Sequence, residues 1–418
     1  MSLIKQILSY SGVNIINASV PFLLLPLLTT YLSPEDYGVL SMVQLLMALS
    51  LPFVMMNSQR LLIMEYSNLT QEKYKSLLSS AVIIPIFGFM LLESLFFIFG
   101  NNIIKYFQLP DYLLYLIPIF LLFQAIPIFV PIIFQAKKDP LKFGKYKISL
   151  TIVNILLSLF FVLVLEYGWE GRLFGIIGAF FLYSLIGLII LLKINILTTH
   201  INITNIKKIL HFGIPLMPHA IFGVLLASSS KFFLSNMINN EALGIYTVAF
   251  QIASSVILIM TSINQAWAPN LYEILNNNPT IEDKNKLVKK TYQTMALMVF
   301  ITFIFILCVP YIYTIFIDTK YHSGIFISRI ISIGFLFNGL YYLVTNYIVF
   351  TKKTKTLSYI TTIISIIGGV INYYFILEYG QIGAAYALIA IFGLLFITVF
   401  YYSNKLYRMP WLNIFKNS

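Results

Sequence analysis

Charge is what this chain has least of. Asp, Glu, Lys and Arg make up 10% of its 418 residues, against about 25% in ordinary soluble proteins, and that excludes a chain of two or three water-soluble domains. Cysteine is nearly absent: Cys308 stands alone, so no internal disulfide forms and the redox compartment stays open. The four histidines, at 200, 211, 219 and 322, show no metal-ligand spacing, and no glycine-rich phosphate loop is present, so ATP is not the expected energy source. Long polar loops are missing too. The longest, from about Ala268 to Thr291, ends in Glu282-Asp283-Lys284-Asn285-Lys286 and reads as a solvated amphipathic connector. It leaves no room for a catalytic or nucleic-acid-binding domain. Met1 to Tyr10 lacks the charged start, short apolar run and small-residue cleavage site of a secretory signal, so the first apolar run is expected to be retained.

What fills the space is apolar. Hydrophobic residues reach 59% and the mean hydropathy is +0.87. Twelve continuous apolar stretches, at 9–31, 38–59, 77–99, 112–134, 146–165, 173–192, 209–234, 243–267, 292–316, 325–350, 357–377 and 382–402, each match the roughly 20 residues a helix needs to cross about 30 Å of hydrocarbon. The runs lack the period-two alternation of membrane β-barrels. The expected fold is all-α, a polytopic membrane protein of twelve spanning helices.

The net charge of +12 is explained by position. With the N-terminus in the cytoplasm, 22 of the 27 Lys and Arg residues fall on that side, including Lys137, Lys138, Lys142, Lys145 and Lys147. Lys105, Arg172, Lys231, Lys320 and Arg329 fall on the opposite side or in the membrane. This is the positive-inside bias, with both termini cytoplasmic, and it removes nucleic acid as a partner.

The chain also repeats itself. Ile4-Lys5-Gln6-Ile7-Leu8 enters the first span as Ile206-Lys207-Lys208-Ile209-Leu210 enters the seventh, and Gly38 corresponds to Gly244. Glu166-Tyr167-Gly168-Trp169-Glu170-Gly171, before the sixth span, matches Glu378-Tyr379-Gly380-Gln381-Ile382-Gly383, before the twelfth. Two parallel six-helix bundles around a central cavity follow: 1–193, a cytoplasmic linker 194–208, a second bundle 209–402, and a cytoplasmic tail 403–418. Parallel repeats with a midplane site and alternating access are a transporter architecture.

Two segments carry a resemblance. Leu25-Pro26-Leu27-Leu28-Thr29-Thr30-Tyr31-Leu32-Ser33-Pro34-Glu35-Asp36-Tyr37-Gly38-Val39-Leu40 resembles the first hairpin of the polysaccharide flippases of O-antigen, lipopolysaccharide and capsule synthesis, within the multidrug/oligosaccharidyl-lipid/polysaccharide exporter superfamily. Ile371-Asn372-Tyr373-Tyr374-Phe375 with Tyr379-Gly380-Gln381-Ile382-Gly383-Ala384-Ala385 resembles its last hairpin. Thr30 and Met64 stand where many members have arginine, and Arg60 lies one turn before Met64. The resemblance implies a non-enzymatic carrier in a bacterial cytoplasmic membrane. It would move an undecaprenyl-diphosphate-linked oligosaccharide from the inner to the outer leaflet and work beside a polysaccharide polymerase and chain-length machinery.

Such a head group needs a wet, cationic, hydroxyl-tolerant path, because desolvating an ion costs several kcal/mol or more. Ionisable groups inside spans are the candidates. His219 falls about ten residues into the seventh span, roughly 15 Å from its end; it reads as a substrate contact or as a neutral histidine bonded to a neighbouring helix. Lys231 and Arg329 read as diphosphate contacts or as cations snorkelling to the interface, and Arg60 as the first cytoplasmic contact or the same. Glu93 reads as a proton or sodium coupling site, or as the partner of one of those cations. No other cofactor is expected. Asn14, Asn17, Gln44 and Gln251 suit sugar hydroxyls and equally suit interhelical hydrogen bonds. Pro21, Pro26, Pro215 and Pro218 remove backbone hydrogen bonds and permit bending at gates. Glu166 and Glu378 mark helix boundaries. Two other functions compete: a cation-coupled drug exporter, which favours a cavity with more acids, and a membrane glycosyltransferase or polymerase, which needs larger outer loops.

Overall fold

The structure, a computed structural model, describes residues 22–66, 68–198 and 201–411, the side chains of His219 and Thr354 excepted. Among these residues the regular elements are all helical. They are α1 (Phe22–Tyr31), α2 (Pro34–Met55), α3 (Ser58–Glu65), α4 (Gln71–Phe107), α5 (Leu113–Ala136), α6 (Pro140–Leu159, closing in a π turn at Phe160–Val164) and α7 (Gly168–Lys193). There follow α8 (Ile203–Gly213), α9 (Met217–Met237), α10 (Asn240–Asn276), α11 (Ile281–Phe316), α12 (Gly324–Phe350) and α13 (Thr354–Leu406). Ten helical stretches are long and apolar enough to cross a membrane, with α8 and α9 counting as one. The last, α13, holds both of the final two expected spans, because its backbone breaks at Gly380. Most of the first expected span, with Asn14, Asn17 and Pro21, lies outside the described residues.

Several helices outrun their apolar stretches. The expected connector 268–291 is the clearest case: α10 continues to Asn276 and α11 starts at Ile281. Thr280 starts α11 by a reciprocal cap, its hydroxyl accepting from the Asp283 N–H (3.2 Å) while the Asp283 carboxylate accepts from the Thr280 N–H (3.1 Å). The charged run after it is therefore helical, since hydropathy reports where lipid ends and not where the helix does. Ser33-Pro34-Glu35-Asp36 starts α2 in the same way, with Pro34 in the first turn.

The chain divides into two compact units, Met1–Val224 and Leu225–Ser418. The division falls within α9, and described residues of the linker 194–208 are hydrogen-bonded to the first unit. Ser76, Ser79 and Ser80 line one face of α4 at helical spacing. The Ser79 hydroxyl accepts from the Thr198 N–H (2.8 Å), Ser80 from the Asn202 N–H (3.4 Å), and Ser76 from the Asn205 amide (3.0 Å). Beneath this clamp, Leu77, Leu78, Phe129, Ile133, Leu191 and Ile209 form a buried cluster.

In the second unit α12 packs along α10, α11 and α13. Buried Tyr313 on α11 shares a hydrogen bond with Ser328 on α12 (2.9 Å), and the Ser328 hydroxyl donates to the Ala249 carbonyl on α10 (3.2 Å). Residues 407–411, read from sequence as part of the tail 403–418, fold back: Met409 and Trp411 are buried with Leu271, Leu275, Leu287 and Tyr347. Tyr292 holds them by donating to the Trp411 carbonyl (3.0 Å).

The repeated Glu-Tyr-Gly-x-x-Gly has one structural job in both units. Its first glycine takes a positive φ, 54° at Gly168 and 59° at Gly380, a region costly for residues with a Cβ. Its second lets the returning helix touch the preceding backbone: a Cβ at Gly171 would lie 2.8 Å from the Phe161 carbonyl oxygen, and one at Gly383 would lie 1.9 Å from that of Phe375. The motif is a tight reversal followed by close helix contact. Glu166, at φ 55°, belongs to the turn, as a helix boundary requires.

Candidate functional site

Arginine 172 has the most elaborate setting among the cations of the first unit. It follows Gly171 in the first turns of α7, and the same close approach that needs Gly171 brings it against α6. There its guanidinium donates to the Asn154 side-chain oxygen (2.6 Å) and to the Ser158 hydroxyl. A Cβ at Gly175 would meet Ser158 at 2.4 Å, so small residues one turn apart on α7 hold this pair of helices together. Buried Tyr37, from α2, faces the same cation. Its hydrogen-bond partners are neutral, and among the described residues Arg172 forms no ion pair, so its positive charge is oriented without being cancelled.

The second unit builds a comparable polar cluster around Asn372, the amide of the last-hairpin motif. Asn372 is 1% exposed. It accepts from the Ser230 hydroxyl (2.7 Å) and donates to the Ser229 hydroxyl (3.0 Å) and to the Gly368 carbonyl (3.0 Å). The two serine bonds join α13 to α9 immediately beside Lys231, which is half-buried and, among the described residues, forms no ion pair. Arg329 on α12 donates through Nε to the Ile306 carbonyl on α11 (3.2 Å), so its head is held within the helix layer. A second amide network lies further along the unit: Asn346 donates to the Asn264 side-chain oxygen (2.8 Å) and accepts from the Tyr272 hydroxyl (3.1 Å).

The other expected residues are placed as follows. Arg60 is exposed on α3. Gln44 is exposed on α2, a helix most of whose other residues are buried. Gln251 is half-buried on α10, and Glu93 is half-buried on α4 and in no ion pair among the described residues. Pro26 sits in α1, where its carbonyl accepts from Thr29 (3.1 Å) and Thr30 (2.9 Å). Pro215 lies in the 3-10 turn Ile214–Leu216 that separates α8 from α9, with Pro218 in the first turn of α9 and His219 next to it. Sequence reading placed Arg172 and quoted Asn372 in a motif without giving either a site role, and passed over Asn154 and Ser158. The available signals were an arginine just inside a span behind Gly171, and a lone amide in a strongly apolar helix.

The end of α8, where the 3-10 turn leads into α9, is fastened to a second irregularity. Between α2 and α3 both Met56 (φ 43°) and Asn57 (φ 51°) take left-handed backbone, interrupting what reads as one span. The Asn57 amide donates to the Gly213 carbonyl (3.2 Å). A Cβ at Gly213 would lie 1.7 Å from the Met56 carbonyl oxygen, so only glycine fits there. Glu65 and Lys208 close the contact with a 3.0 Å ion pair. Buried amide–carbonyl pairing at two interrupted helices satisfies backbone groups that lipid could not.

Repeated bundles of spanning helices with uncancelled cations among amides and hydroxyls define the class, a multi-pass membrane protein of transporter fold. The fold is shared with an inward-facing multidrug-resistance MATE transporter of the MOP superfamily (TM-score 0.69, 12% identity, 96% of each chain covered). It is shared equally with the lipid II flippase MurJ in an inward closed conformation (TM-score 0.69, 17% identity, 95% of this chain and 87% of that one). An outward-facing MATE transporter gives a TM-score of 0.60 at 13% identity, over 96% and 95% of the two chains. A family model described as polysaccharide biosynthesis protein matches residues 3–275, and the chain belongs to that family. No curated protein matches.

Proposed function

We propose that the protein is a flippase for a lipid-linked oligosaccharide, moving an undecaprenyl-diphosphate-linked repeat unit from the cytoplasmic to the outer leaflet of a bacterial cytoplasmic membrane by alternating access. The observation that carries this reading is the balance of charge in the spanning helices. Arg172 and Arg329 bond neutral partners, Lys231 stands next to Ser230, and none of the three is in an ion pair among the described residues, while Glu93 is the only carboxylate well inside an apolar span. A diphosphate supplies the charge these cations lack, and its sugars supply partners for amides and hydroxyls. The polyprenyl tail can stay in lipid, so no bond needs to be made or broken. Membership of the polysaccharide biosynthesis family and the fold shared with a lipid II flippase point the same way.

The roles follow from position. Arg60, exposed at the cytoplasmic side of the charge bias, makes the first contact; Lys231 and Arg329 receive the diphosphate later; Gln44 and Gln251 meet sugar. Glu93 is the proton or sodium coupling site. The expected partners are the polymerase and chain-length proteins that take up the exported unit for O-antigen or capsule.

A drug exporter is the second reading, favoured by the MATE likeness. It calls for acids in the path, and here cations predominate. Reconstituted protein with a fluorescent undecaprenyl-diphosphate oligosaccharide and, separately, with lipophilic cationic drugs separates the two. Movement of the oligosaccharide alone supports the flippase; movement of the drugs alone supports the exporter.

A further inference from the structure

Away from the residues used above, α5, α6 and α7 of the first unit form an open groove of about 420 Å³. Lys142, Lys145 and Lys193 stand at one end, and Ile186, Ile190 and Tyr183 form the wall. A second hollow, of about 550 Å³, lies on the other side of α6 and shares Lys145 and Ser149 with the first. The polarity is graded. Along α7 the lining runs from Lys193 through Ile190 and Ile186 to Tyr183, ten residues or about 15 Å of helix. Along α6 it runs from Lys142 and Lys145 through Ser149 to Ile152.

The cations are not equivalent. Lys142 is paired with Asp139 at 3.1 Å. The Lys142 backbone N–H also donates to that carboxylate (3.0 Å) and holds it below the usual carboxylate range, so the pair stays ionised. Lys145 and Lys193 form no ion pair among the described residues and are exposed. The wall beneath them is firm: Tyr146 is 5% exposed and its hydroxyl donates to the Tyr183 carbonyl (2.8 Å). The neighbouring apolar face is bare, with Ile186 41% and Ile189 52% exposed, as expected of side chains that meet acyl chains.

We propose that this groove binds an anionic phospholipid, with the phosphate between Lys145 and Lys193 and one acyl chain laid along Ile190 and Ile186. Two unpaired cations at the head-group level, above an apolar trough that runs into the membrane, match an amphiphile with an anionic head. A free anion would leave the trough empty, and a neutral lipid would leave both amines unmatched. The volume suits one acyl chain, and the Lys145 amine lines the hollows on both sides of α6. The site holds whether or not the transported substrate is an oligosaccharide.

Native mass spectrometry of the full-length purified protein, titrated with phosphatidylglycerol or phosphatidylcholine of matched chains, tests it. The protein is expected to retain phosphatidylglycerol in preference to phosphatidylcholine. Lys145→Ala and Lys193→Ala should each weaken that binding about fivefold, and Ile190→Trp should weaken it by filling the trough. The arginine pair Lys145→Arg/Lys193→Arg should bind as before. Lys289→Ala/Lys290→Ala, an equal charge loss on the exposed face of α11, should change nothing. Undiminished binding in Lys145→Ala/Lys193→Ala overturns the proposal. So does an equal loss in the α11 control, or displacement of the lipid by inorganic phosphate alone.

Discussion

Asparagine 372 shows how a single side chain can organise a spanning helix. Its two amide hydrogens and its oxygen are used by Ser229, Gly368 and Ser230, so Asn372→Leu removes three bonds and leaves two hydroxyls without their partner. Two of the three are interhelical, worth about 0.6 kcal/mol each in membranes, so with the orphaned hydroxyls a loss of about 1–3 kcal/mol is expected, read as a lower melting temperature in detergent. Lys231, one residue from Ser230, is expected to behave oppositely. With no ion pair to lose, Lys231→Met should leave the melting temperature within a degree or two and reduce oligosaccharide transport at least tenfold, with Lys231→Arg largely active. A fully active Lys231→Met protein would remove this lysine from the transport path. Arg172 and Asn372 were hidden from sequence reading because their importance depends on which helices lie alongside. A lone Arg or Asn in an apolar run announces that it needs partners without naming them.

At the scale of elements, the repeated glycine motif gives the sharpest expectation. Gly383→Ala must push against the Phe375 backbone oxygen at 1.9 Å, and Gly171→Ala against that of Phe161 at 2.8 Å. Backbone cannot step aside as a side chain can, so both should destabilise, Gly383→Ala more, by about 1–3 kcal/mol. Gly369→Ala, with open space around its Cβ, should be neutral or slightly stabilising; thermal unfolding of the three variants checks the order. The serine face of α4 gives a second test. Replacing Ser76, Ser79 and Ser80 by alanine should release Thr198, Asn202 and Asn205 and raise their hydrogen exchange, while α5 keeps its protection. Equal exchange in parent and variant would show that apolar packing alone holds the linker. The helices were legible from their apolar lengths, and the motif's role as a boundary from its glycines. Helix ends were not, because α10 continues past the lipid-facing stretch to Asn276 and α11 already begins at Ile281, behind the Thr280 cap. Nor was the break at Met56 and Asn57, where neither residue is a glycine or proline. Its cause is tertiary, the Asn57 amide reaching the Gly213 carbonyl.

For the whole molecule, the account rests on electrostatics and direction. Basic residues crowd the side assigned to the cytoplasm, and Arg172, Lys231 and Arg329 form no ion pair among the described residues. Moving about two negative charges outward across a cell-negative potential is favoured by roughly 2.3 kcal/mol per charge per 100 mV, so the potential can drive export without ATP. On the proposed reading, coupling through Glu93 would add to it. Glu93→Gln should abolish any dependence on a proton or sodium gradient while leaving the response to potential, which separates the two sources of drive. The most direct measurement is transport of a fluorescent undecaprenyl-diphosphate oligosaccharide in proteoliposomes holding only this protein, followed at zero and at an imposed potential negative on the cytoplasmic side. The account predicts protein-dependent movement of the head group to the opposite leaflet, faster under the imposed potential and impaired by Lys231→Met. No movement beyond that of protein-free vesicles, or movement indifferent to both the potential and Lys231, would contradict it.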